Sequence, residues 1–131
     1  MTVIEAVRLH MAGPFEWVSA DCFSATDEVL FALFGIRPFA SLRDAYSGPV
    51  SAARLARQRG GYVAGVTALC RDAGMRETDD PQPGDLVMIA HNGPLGAVLG
   101  ICVGGGWTAT KGKSGIRYHR GPILGAMTWV S

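Results

Sequence analysis

The sequence predicts an α+β fold, with N-terminal helices packed on one face of an antiparallel sheet meander. Three observations carry this. Apolar residues recur at helical spacing through residues 2–74. Short β-type apolar runs, separated by Gly-rich turns, fill the chain from residue 86 onward. Between the two lies "DDPQPGD", a turn-rich connection.

Val3, Ala6, Val7, His10 and Met11 share one helical stripe, so residues 2–11 read as a short amphipathic helix ended by Gly13-Pro14. "FEWVSAD" is a loop. A second helix is expected from Cys22 to Phe34, with Asp21 as its N-cap and Gly35 as its stop. "SLRDAYSGP" is a polar loop or turn. "VSAARLARQRGG" and "YVAGVTALCRDAG" read as two further helices, the latter with Val63, Val66, Leu69 and Cys70 facing inward. "LVMIA" and "AVLGICV" read as strands joined by the hairpin turn "HNGPLG". "GGGWTAT" opens a third strand, and "SGIRYHRG" and "GAMTWV" are two more.

A chain of 131 residues is expected to form a single domain, residues 1–131, with its own core. The net charge of +1 supplies no field that would recruit nucleic acid. Arg54, Arg57 and Arg59, and Lys111, Lys113, Arg117 and Arg120, read as solvated clusters. The N-terminus lacks a basic stretch followed by an apolar core, so no signal peptide is expected and synthesis in the cytoplasm is the expectation. No apolar run approaches the ~20 residues of a membrane span. Cys22, Cys70 and Cys102 are odd in number, scattered and without a CxxC, and His10, His91 and His119 are equally dispersed. No disulfide framework, metal site or cofactor is therefore expected. Gly104 to Gly106 lack the context of a phosphate loop.

Cys22 is the residue with chemical promise. A thiol of pKa ~8.5 is mostly protonated at neutral pH. A helix N-terminus favours its thiolate, and an adjacent imidazole completes the activation and later protonates a leaving amine. Two readings of Cys22 follow: a nucleophile at the helix start, or an inert thiol packed there.

"PFEWVSADC" followed by a helix, then "PQPGDLVMI", then "LGICVGGGW", resembles the NlpC-type cell-wall peptidases, compact papain-like cysteine peptidases. That family has Asp-Cys at a helix start, a Gly-Asp-Leu-Val strand, and a strand of the form His-Val-Gly-Ile-x-Val-Gly. A closer likeness is to a branch of small proteins from phage and prophage tail gene clusters. It rests on the "PF-W---DC" opening, "LRDAY", the "GG" before the next helix, and Trp129-Val130. The resemblance implies Cys22 as nucleophile and Asp21 at its helix start. It implies an orienting polar residue near Thr108 or Thr110.

The resemblance also implies a histidine before the "LGI" step, and that position is Val98. Valine carries no proton. His91 and His119 are the candidates to replace it. With the turn centred on Asn92-Gly93, Val98 pairs near Val87 and His91 stands on the order of 10 Å from the expected site. Two functions are thus expected as alternatives. One is a degenerate peptidase fold with a structural or interaction role in a phage tail tip, contacting hub or fibre proteins in the virion tail. The other is an active peptidase or amidase that cleaves peptidoglycan stem peptides.

Overall fold

Thr2 starts the first helix. Its hydroxyl accepts a hydrogen bond from the Glu5 amide at 3.2 Å, and α1 runs from Val3 to Met11. The computed structural model describes residues 1–93 and 95–130. α2 spans Cys22–Phe34, as the capping signals predict. The Asp21 carboxylate accepts from the Ser24 amide, and Gly35 adopts φ 75°, so its N–H closes on the Phe31 carbonyl. A 3₁₀ turn, Ala40–Leu42, overlaps the start of the segment read as a loop. α3 covers Pro49–Gln58 and α4 covers Tyr62–Asp72.

The six strands are β1 Met75–Glu77, β2 Leu86–Ala90, β3 Ala97–Gly104, β4 Trp107–Gly112, β5 Gly115–His119 and β6 Ile123–Trp129. Their order is β1-β6-β2-β3-β4-β5, and every neighbouring pair is antiparallel. β2 to β5 form the expected meander. β6 does not continue it, but crosses back to pair with β2. The reason lies in β2, where Leu86 to Ile89 are all buried, so both faces and both edges of this strand are used. β1 was not expected. Only Met75 of its three residues is buried, and β6 alone holds it.

Alternation along β3 sorts the interior into two clusters. Ala97, Leu99 and Ile101 join the main core with Cys22, Val29, Leu30, Leu86, Met88 and Ala109, on the face covered by α1 and α2. Val87, Ile89, Cys102 and Ala126 form a smaller cluster on the reverse face. Cys70 is fully buried in the main core, and Trp129 stacks on Phe34 at 6.3 Å.

Two expectations need correction here. Lys111 belongs to no solvated cluster: it is buried, and its ammonium donates to the carbonyls of Ala12 (2.6 Å) and Gly13 (2.9 Å), beyond the end of α1. The β2–β3 hairpin pairs Val98 with Ile89, not with a residue near Val87. The His91 amide donates to the Gly96 carbonyl and encloses two successive turns, with Gly96 at φ 71°, so the connection is longer than a two-residue turn. Among the described residues, no helix is long and apolar enough to cross a membrane.

Candidate active site

The loop before Cys22 is tied back on itself. Glu16 and Ala20 bridge through paired backbone hydrogen bonds. Val18 takes φ 72°, a costly conformation for a β-branched residue. Asp21 holds it there. Its carboxylate accepts from the Val18 amide at 2.8 Å, from the Ser24 amide at 2.9 Å and from the Tyr46 hydroxyl. The Ser24 hydroxyl donates to the Val18 carbonyl. Asp21 is fully buried, and its oxygens are spent on the loop, the helix cap and a tyrosine twenty-five residues away.

Cys22, the first residue of α2, points into the main core and is 7% exposed. Its pKa is pushed from an ordinary 9.0 to about 12, first by burial and then by the Asp21 charge. The Leu99 amide, the Tyr62 hydroxyl and its own amide pull the other way and lose. The magnitudes explain why. A helix N-terminus is worth up to ~2 kcal/mol to an anion in partly buried geometry. A rise from 9.0 to about 12 is about 4 kcal/mol in favour of the neutral thiol. The thiol is therefore overwhelmingly protonated at neutral pH.

Tyr62 closes the site from the first position of α4. Its ring lies 6.0 Å from that of Phe23, and burial drives its own pKa well up. The hydroxyl is close enough to the thiol to favour the thiolate slightly, yet it completes no hydrogen bond. Beside it lies a narrow cavity of about 30 Å³, lined by Phe23, Tyr46, Leu55, Tyr62, Val66 and Leu95 among others. This is room for roughly one water, too little for a peptide.

The histidines lie elsewhere. His119 Nε2 is 2.8 Å from Thr110 Oγ1, so this candidate base and this candidate orienting residue do meet. They meet on the reverse face of the sheet. Thr110 stands opposite Gly100 and between Ala109, which is in the main core, and Lys111, which reaches the end of α1. Thr108, paired with Cys102, shares the reverse face. His91 follows the last residue of β2, is exposed, and exerts its charge on His119. Burial, Arg117 and His91 together hold the His119 pKa down. None of the groups that set the Cys22 pKa is an imidazole. Val98 pairs with Ile89 and alternates with Leu99 to the reverse side of β3, while its side chain also touches the margin of the main core.

The other motif residues have structural partners. Asp85 of "PGDLV" accepts from the Gln82 amide at 2.8 Å and the Thr128 hydroxyl at 2.7 Å, fastening the connection to β6. Gly100 of "LGI" lies so near β4 that an added Cβ would sit 2.0 Å from the Ala109 carbonyl oxygen. Sequence reasoning missed Tyr46 and Tyr62 as partners of the Asp21-Cys22 pair. Tyr46 ends the quoted "LRDAY" and Tyr62 follows the quoted "GG", so both had a signal, though none that gave their contacts.

A family model described as a domain of unknown function (DUF6950) matches residues 2–123. No curated protein matches the chain.

Proposed function

The chain belongs to the DUF6950 family, and we propose that it is a non-hydrolysing domain of papain-like, NlpC-type architecture with a structural or interaction role in a phage or phage-like tail tip. One observation carries the non-catalytic part. The residue in the nucleophile position is a buried thiol with a raised pKa, His119 lies on the other face of the sheet, and His91 is exposed in the loop after β2. General acid–base assistance, commonly worth ~100- to 10,000-fold, has no imidazole to supply it at Cys22. The architecture is supported by the packing of the Cys22 helix on β3 and β4 together with the order of the quoted motifs. The tail setting, with hub or fibre proteins as partners, rests on the resemblance of "PF-W---DC" and "LRDAY" to tail-cluster proteins.

Asp21-Cys22 then serves as a structural knot. It caps α2, fixes the strained Val18 loop and seats Tyr46. The test is incubation of the purified chain with peptidoglycan. No soluble stem-peptide fragments are expected, from the native chain or from Cys22→Ala. Fragment release that disappears in Cys22→Ala would make the domain a peptidase.

A further inference from the structure

We propose that copies of this chain associate head to tail, the open edge of β5 in one copy docking on the open edge of β1 in the next. The charge distribution carries this. Residues 1–85 hold eight Arg and Lys against all eleven Asp and Glu, whereas residues 86–131 hold four Arg and Lys and no carboxylate. A near-neutral chain is thus a dipole of unlike halves.

The halves interleave, since β6 pairs with β1 and α1 packs against β5, but one acidic group and the basic group stand at opposite ends of the sheet. β1 and β5 are its two terminal strands, each paired on one side only. β1 leads into Glu77, Asp79 and Asp80, all exposed, with Asp72 just before it. Arg76 is exposed there too, and Arg71 is engaged with Glu77 at 2.6 Å, so the edge stays net acidic. β5 presents Arg117, flanked by Lys113 and Arg120, all exposed. Charged residues on an edge strand ordinarily prevent pairing. That protection works when the edges repel, and here the two edges carry opposite sign.

The basic end also has the composition of an interface. Trp107 and Tyr118 are 42% and 47% exposed, and the Arg120 guanidinium lies 5.6 Å over the Trp107 ring. Aromatic and Arg side chains are the usual anchors of protein contacts. A contact between two different patches is heterologous, so it propagates into a ring if the rotation closes and into a filament if it does not. This goes beyond the non-catalytic reading and does not depend on it: a monomeric chain would sink the head-to-tail contact and leave the chemistry of Cys22 untouched.

The experiment is sedimentation of the full chain at rising concentration, in low and high salt. It is repeated with Arg117→Glu/Arg120→Glu and with Asp79→Lys/Asp80→Lys, each checked for folding by circular dichroism. The native chain should associate in low salt and dissociate in high salt. Each variant has two edges of like sign and should associate at least about tenfold more weakly. An equimolar mixture of the variants restores unlike edges and should associate again. A native chain that stays monomeric in low salt overturns the proposal without any variant. So does association that the charge reversals leave unchanged, or one that stops at a two-fold dimer.

Discussion

His119 Nε2 lies 2.8 Å from Thr110 Oγ1, on the face of the sheet turned away from Cys22. The pair has the chemistry of an oriented imidazole, and the sheet separates it from the thiol it would have to serve. A peptidase dyad needs both groups in hydrogen-bond contact, and strand alternation forbids that here whatever the rotamers.

Restoring the missing histidine should therefore restore nothing. Val98→His would present an imidazole beside Ile89, on the reverse face. A charge shifts a neighbour's pKa strongly only within ~4–6 Å, so Cys22 reactivity should stay within about twofold of native. Measuring thiol alkylation in the variant checks this. A marked acceleration would mean that β3 presents Val98 to the thiol.

Asp21 should matter for stability, not catalysis. Asp21→Ala strands the Val18 amide, the Ser24 amide and the Tyr46 hydroxyl. The expected loss is about 3 kcal/mol in urea unfolding. Tyr46→Phe removes one of those contacts and should cost about 1–2 kcal/mol. Two equal losses would show that the other two contacts carry nothing.

Asp27 makes stability depend on pH. It is buried in α2, accepts from the Phe39 amide at 2.9 Å through one oxygen, and leaves the other without a partner. Burial raises its pKa from 3.8 to about 7, against opposing pulls from the Phe39 amide and Arg43. Between those values the folded state holds a proton that the unfolded state gives up. Its contribution is therefore complete below about pH 4 and is lost as pH rises to about 7. Asp27→Asn should be more stable than the native chain at pH 8, by on the order of 2–4 kcal/mol, and the gap should shrink toward pH 5. Urea unfolding of both proteins at the two pH values reads it. A constant gap would contradict the assignment.

Gly100 should tolerate no side chain. The ideal Cβ position is 2.0 Å from the Ala109 carbonyl oxygen and 2.9 Å from Thr110 Cγ2, so β3 and β4 would have to part. Gly100→Ala should cost about 3 kcal/mol or more, seen as a lowered Tm. An unchanged Tm would contradict the close approach of the two strands.

What was legible in the sequence was local. Asp21 and Gly35 mark the ends of α2 by their own backbone chemistry, and both ends fall where those residues put them. The β2–β3 register was not legible, because it depends on how many residues the His91–Gly96 connection consumes. The two-residue difference leaves Val98 on the face that Val87 and Ile89 share and changes only its position along β2. Tyr46 and Tyr62 reach Asp21 and Cys22 from 25 and 40 positions along the chain, and Lys111 reaches Ala12 across 99. Contacts at such separations come from packing, which periodicity does not encode.

The central claim is that Cys22 is a packed, protonated thiol. The rate of Cys22 alkylation by iodoacetamide against pH tests it most directly, with Cys70 and Cys102 changed to Ala. Labelling should be slow at neutral pH with an apparent pKa well above ~8.5, the same in His91→Ala and His119→Ala backgrounds. Rapid labelling with a pKa below ~8.5 that shifts when one histidine is removed would contradict it, and would name that histidine as the base.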